Sequence, residues 1–155
     1  MTARPRVLIT EPEGFSPLAV ERLRAVADVE LSTVDRPGLV AALGAYDVVW
    51  LRLGHRLDAD TLAHATRCRI IATPVTGLDH LDLEACAARG IRVVSLRGEV
   101  AFLRTVRATA EHTLALMLAL LRRLPAAHGH VLEGGWDRDL FRGRELGDKV
   151  VGLVG

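Results

Sequence analysis

Five short apolar runs, each set off from the next by a turn and a stretch of helical periodicity, predict a doubly wound α/β fold with a parallel sheet. Helix-capping residues at Ser16, Asp58 and Asp82, each just ahead of an apolar-periodic segment, support the alternation of strand and helix. The chain has 155 residues, half of them hydrophobic, enough for one such domain and part of a second. Spacing does not set the strand order; the flavodoxin-like 2-1-3-4-5 is the commonest arrangement of five.

Val7-Leu8-Ile9 reads as the first strand, closed by the turn-forming Glu11-Pro12-Glu13-Gly14. Ser16 caps a helix with Pro17 at its first position, and Leu18, Val20, Leu23, Val26 and Ala27 recur at helical spacing. Asp28 to Val34 alternates as a second strand. Pro37 opens a helix through Leu39, Val40 and Leu43 that Gly44 ends. Tyr46 to Leu51 is the third strand, and Asp58 caps a helix through Leu62 and Ala65. Ile70-Ile71-Ala72 is the fourth, followed by an Asp82-capped helix over Leu83 to Ala88 that Gly90 closes, and Ile91, Val93 and Val94 form the fifth.

After Val94 the pattern changes. Ser95 to Thr105 has no clear period, and Val106 to Leu124 predicts a helix apolar nearly all round, which must be buried on most sides, between two bodies or against a partner chain. Pro125 breaks it, a shorter helix reaches Glu133, and Gly134-Gly135 ends that. Trp136 to Gly147 is a loop. It leads into a last apolar run, Val150 to Val154, read as a buried strand with Gly155 where strand would pass to helix, as at the start of a dinucleotide-binding unit.

A net charge of +1, with arginines interspersed among acids, gives no reason to expect a nucleic-acid or anionic-membrane partner. Leu114 to Leu121 is far too short for a membrane span, and no basic segment followed by an apolar stretch opens the chain. Cys68 and Cys86 are too few and too far apart for a disulfide framework, so reduced, buried thiols and a cytoplasmic location are expected.

Ligands of open α/β sheets collect at the carboxyl ends of the strands. After the third strand, Leu51-Arg52-Leu53-Gly54-His55 offers a small carboxylate either the Arg52 guanidinium or the N–H groups of Leu53 and Gly54; an ordinary surface arginine on a turn is the alternative. After the fourth, Thr73-Pro74-Val75-Thr76-Gly77-Leu78-Asp79 is either a close-approach ligand loop or a plain strand-to-helix turn. His128 and His130, two apart on a helix, face different sides, and no metal site is expected. No serine sits in a nucleophile elbow and neither cysteine has the setting of an activated thiolate, so no complete catalytic set is present.

Several blocks nonetheless occur together: Thr76-Gly77-Leu78-Asp79-His80-Leu81-Asp82-Leu83-Glu84-Ala85, Ala88-Arg89-Gly90-Ile91, Thr109-Ala110-Glu111-His112-Thr113, Gly135-Trp136-Asp137-Arg138, and Gly143-Arg144-Glu145-Leu146 running into Lys149 to Gly155. In order and spacing the chain resembles the D-isomer-specific 2-hydroxyacid dehydrogenases, which include phosphoglycerate, glycerate and lactate dehydrogenases. The resemblance implies a flavodoxin-like substrate domain over residues 1–103, and over 104–155 the linking helices and first strand of a truncated Rossmann domain. Arg52, Leu53, Gly54, Thr76 and Gly77 would line the side of the inter-domain cleft that takes the substrate's carboxylate. Thr109 would lie near the nicotinamide, and Gly155 would be the first glycine of the cofactor fingerprint.

The implied activity is hydride transfer from the CH–OH group of a small D-2-hydroxy acid to NAD or NADP, giving the 2-oxo acid, in a homodimer joined through the 106–124 helix. The family's catalytic arginine, glutamate and histidine would all follow position 155, so this stretch is expected to be inactive and to bind NAD poorly alone. Val75 stands where many members have glycine, and Leu53-Gly54-His55-Arg56 departs from the usual Ser-x-Thr pattern, as in a divergent branch. A non-catalytic binding or regulatory module of the same fold, corepressor-like or dimerising, is the alternative.

Overall fold

The computed structural model of the chain describes residues 3–154. These form two compact units that divide at Val100 and Ala101.

The first unit runs β1 (Arg6–Ile9), α1 (Pro17–Val26), β2 (Asp28–Leu31), α2 (Arg36–Ala45), β3 (Val48–Trp50), α3 (Ala59–Leu62), β4 (Ile70–Ala72), α4 (Leu83–Ala88) and β5 (Arg92–Val94). All five strands pair in parallel in the order β2-β1-β3-β4-β5, the flavodoxin-like order. The three anticipated caps form: Ser16 accepts from the Ala19 N–H at 3.4 Å, Asp58 from Thr61 and Asp82 from Ala85, each at 2.9 Å.

Some boundaries differ from the sequence reading. α2 starts at Arg36 because Asp35 caps it, accepting from the Gly38 N–H at 2.8 Å, and Pro37 sits in the first turn where its missing N–H has no helical partner to lose. Gly44 lies inside that helix, which closes at Tyr46. β2 stops at Leu31, since as an edge strand it can extend only as far as β1 pairs with it. α3 stops at Leu62, and the chain then turns so that the Cys68 N–H donates to the Leu43 carbonyl at 3.0 Å.

Side chains on successive strand residues point to opposite faces, and register lines them up across the sheet. Leu8, Val49, Ile71 and Val93 form one such row, and Val49 and Ile71 have no exposed surface. That row packs into one cluster with Leu39 and Leu43 of α2, Leu62 of α3 and Cys86 of α4. Each large side chain buried this way contributes about 1.5–3 kcal/mol. On the other face Val7 and Ile9 are buried, as is Val20 of α1.

α5 (Val100–Leu103) spans the boundary, and the second unit continues with α6 (Ala108–Leu121), α7 (Leu124–Leu132) and a 3-10 turn at Asp139–Phe141. The long apolar helix is thus shorter than read. Arg123 takes a left-handed φ of 56° between α6 and α7, and Pro125 falls in the first turn of α7. The loop after α7 folds back: the Arg144 N–H donates to the Leu121 carbonyl at 2.8 Å, and a Cβ at Gly143 would collide with that carbonyl and the Arg122 Cα.

No residue of α6 is buried, and Leu116 and Leu120 are 57% and 80% exposed, so its own unit does not supply the second body or partner chain expected to cover it. One expectation for this half is corrected. Residues 150–154 form no strand, and Val150 and Val154 are fully exposed. A strand is held by its ladder, and no described strand lies alongside this run to pair with it. Gly155, the expected fingerprint glycine, lies outside the described residues. Among those residues no helix is long and apolar enough to cross a membrane.

Candidate functional site

In this strand order β1 and β3 are neighbours while their connections leave in opposite directions, so the loops after β1, β3 and β4 come together at the carboxyl edge of the sheet. A groove of about 720 Å3 opens there, lined by Glu13 and Ser16 after β1, Trp50 and Arg52 at the end of β3, and Pro74 and Val75 after β4. Phe15 stands edge-on to Trp50, ring centres 4.7 Å apart, and forms an apolar wall.

Backbone pairing continues beyond the strands and stiffens the loops. Thr10 donates its N–H and its hydroxyl to the Trp50 carbonyl, both at 3.0 Å, and the Leu51 N–H donates to the Ala72 carbonyl at 3.0 Å. Further out, Leu57 and Leu81 form a parallel bridge: Leu57 donates to the His80 carbonyl and accepts from the Asp82 N–H, both at 2.8 Å. The two candidate loops are therefore anchored at both ends, which leaves only their tips free to meet a ligand.

At those tips the N–H groups differ in state. The Glu11 carboxylate accepts from the Arg52 N–H at 2.5 Å and from the Gly54 N–H at 3.2 Å. The second loop is open by comparison: no acceptor among the described residues takes the N–H of Thr76 or of Gly77, nor that of Leu53. Arg52 lines the groove, and its guanidinium pairs with no carboxylate among the described residues.

Of the residues picked from sequence, Arg52 borders the groove directly, and Leu53, Gly54, Thr76 and Gly77 continue the two loops that frame it. Thr109 lies in the first turn of α6, in the second unit, where its carbonyl accepts from the Thr113 hydroxyl at 2.8 Å. Glu11 was missed, read only as a turn residue. Only the register reveals it: Ile9 pairs with Trp50, so the residue two beyond β1 falls beside the residue two beyond β3, which is Arg52.

Four other titratable groups serve the fold. Burial pushes the Cys68 thiol up to about 11 and raises that of Cys86, so neither is a thiolate at neutral pH. The Thr61 hydroxyl and N–H, then Arg36, hold Asp58 well below the usual carboxylate range while tying α2 to α3. Arg67 and the Arg6 N–H lower Asp47 at the opposite edge of the sheet.

A family model described as "D-isomer specific 2-hydroxyacid dehydrogenase, catalytic domain" matches residues 7–142. The chain is 38% identical over 155 residues to the D-3-phosphoglycerate dehydrogenase of Mycobacterium bovis, a match covering 97% of this chain and 28% of that protein. It is 35% identical over 163 residues to the glyoxylate reductase of Aeropyrum pernix, covering 98% of this chain and 47% of that one. Among solved structures, the TT0316 protein from Thermus thermophilus superposes with a TM-score of 0.75 at 31% identity, over 89% of this chain and 44% of that chain. The chain thus spans less than half the length of each of these relatives.

Proposed function

Because the chain belongs to the D-isomer-specific 2-hydroxyacid dehydrogenase family, we propose that it forms the substrate-holding part of an NAD-dependent oxidoreductase that converts a small D-2-hydroxy acid to its 2-oxo acid. One observation carries the reading: the adjacent N–H groups of Thr76 and Gly77, at the carboxyl edge of the sheet, have no acceptor among the described residues. A carboxylate is the ligand such a pair suits, since charge-assisted hydrogen bonds from fixed backbone donors are the stronger kind and need no side chain to be reorganised. The unpaired Arg52 guanidinium adds attraction for an anion entering the groove, and the Phe15–Trp50 wall gives an apolar surface to the rest of a small acid.

This reading takes residues 1–103 as the substrate domain and 104–155 as the opening of the dinucleotide-binding domain. It places Thr109 near the nicotinamide and Gly155 at the first turn of the cofactor fingerprint, with the protein in the cytoplasm. NAD or NADP would accept the hydride. Among the described residues 150–154 pair with no strand, and none is assigned to hold the cofactor's pyrophosphate. No residue of 3–154 is assigned a proton- or hydride-transfer role. The exposed leucines of α6 support dimerisation of the whole protein through that helix.

The test is a reductase assay on the protein expressed from its whole gene, following NADH loss with glyoxylate, pyruvate and phosphohydroxypyruvate, beside an amide-shift titration of the 155-residue chain with D-lactate. Turnover of a 2-oxo acid together with shifts at Thr76 and Gly77 is expected. No turnover of any, or shifts confined to other loops, would overturn the reading.

A further inference from the structure

Glu11 occupies a position that the functional reading would otherwise give to a ligand. Its carboxylate lies on the N–H groups of Arg52 and Gly54, one on either side of Leu53, just as a bound acid would. The contact is enforced from both sides. Register sets Glu11 opposite Arg52, and Gly54 comes so close that an added Cβ would stand 3.0 Å from the Glu11 Oε1. Glu11 is half-buried, and the Thr10 bonds to Trp50 immediately before it hold its backbone to the end of β3.

We propose that Glu11 is the resident carboxylate of the loop after β3, a positioning residue that fills the Arg52 and Gly54 donors and so excludes a ligand's acid group from them. The consequence is a division of labour between two loops of similar chemistry. In one, the chain itself takes the Arg52 and Gly54 donors on either side of Leu53; in the other, the Thr76 and Gly77 donors stay open. The occupancy of the first loop stands on geometry alone, and only the destination of the ligand's carboxylate at Thr76 and Gly77 rests on the proposed function.

The experiment is an amide-resolved titration of the full 155-residue chain with formate and with D-lactate, for the wild type, Glu11→Ala and Glu11→Gln. In the wild type the Arg52 and Gly54 amide resonances should stay in place with either ligand. In Glu11→Ala both should move upfield without ligand and return on adding formate, with formate affinity at this pair raised about tenfold or more, as expected from regaining a charge-assisted donor pair. Glu11→Gln, which keeps size and shape, should show an intermediate shift and no formate response; it serves if the alanine variant loses the sheet resonances of β1 and β3. Such rescue by an external carboxylate distinguishes a resident acid from a residue that merely packs.

Arg52 and Gly54 resonances that respond to formate as strongly in the wild type as in Glu11→Ala would overturn the proposal. So would a folded Glu11→Ala whose two resonances are unchanged. Silence at Thr76 and Gly77 with the expected behaviour at Arg52 and Gly54 would uphold Glu11 and refute the functional reading instead.

Discussion

Gly77→Ala separates a glycine needed for ligand approach from one needed for folding. The φ of Gly77 lies outside the left-handed region, and the nearest atom to an added Cβ is the Asp79 Oδ2 at 3.9 Å, an ordinary contact. The folded chain therefore has room for alanine, and the smaller entropy of the unfolded alanine chain should leave stability equal or raised by about 0.4–1 kcal/mol. A methyl group beside the N–H, however, obstructs a carboxylate that must come within hydrogen-bonding distance of it. Losing one hydrogen bond to a charged group costs about 1.5–3 kcal/mol, so affinity for D-lactate should fall about ten- to a hundredfold. Paired measurements decide: chemical denaturation for stability, and amide-shift titration for affinity. Unchanged affinity would remove Gly77 from the site, whereas a stability loss beyond about 1 kcal/mol would show a structural glycine and defeat the steric reasoning.

Arg52→Gln should leave stability within about 0.5 kcal/mol, because the guanidinium has no partner to lose among the described residues, while weakening binding of the same acid; a titration in which affinity holds would sink the role of Arg52. Ile71→Ala, at a site with no exposed surface in the central row, should cost about 2–5 kcal/mol in urea denaturation, and a cost under 1 kcal/mol would contradict the packing described. Acid should destabilise the first unit through Asp47 and Asp58. Both are lowered in the folded state from an ordinary 3.8, so their contributions are complete above that value and fade as pH falls through the lower folded values. Asp47→Asn and Asp58→Asn should each flatten the fall in stability below that pH, and parallel curves for variant and wild type would refute the ion-pair account. The exposed leucines of α6 predict self-association of the chain at micromolar concentration, measured by sedimentation, and Leu116→Glu with Leu120→Glu should return it to monomer; a monomeric wild type would count against a dimer contact there.

Where local signals were redundant, the sequence was readable. Ile70-Ile71-Ala72 and Leu83–Ala88 form with the boundaries read, because an apolar run closed by Thr73-Pro74 and a helix framed by Asp82 and Gly90 carry start and stop signals of their own. The 150–154 run has the composition of a buried strand, yet composition cannot supply a neighbouring strand, and without one the same residues stay unpaired. The Val106–Leu124 run was legible as an apolar helix, which ends at Leu121, but periodicity reveals an apolar surface and not what covers it. Glu11 escaped because its role is set by register between strands some forty residues apart, not by any pattern around Glu11-Pro12-Glu13-Gly14.

That register also fixes where the backbone donors of the two loops stand. The backbone N–H groups of Arg52 and Gly54, taken by Glu11, and those of Thr76 and Gly77, left open, are placed by β1 and β4 both pairing with β3 and by the Leu57–Leu81 bridge beyond. Side chains at Leu53, His55 and Val75 should therefore vary without moving a donor, since each belongs to a loop whose ends are already tied. Under the proposed function, the departures at Leu53-Gly54-His55-Arg56 and at Val75 would bear on which acid fits the groove. Substituting Leu53 or Val75 should shift preference among small acids while leaving the Thr76 and Gly77 responses in place, whereas breaking the bridge with Leu57→Pro, which removes the N–H that donates to His80, should loosen both loops and weaken every acid alike.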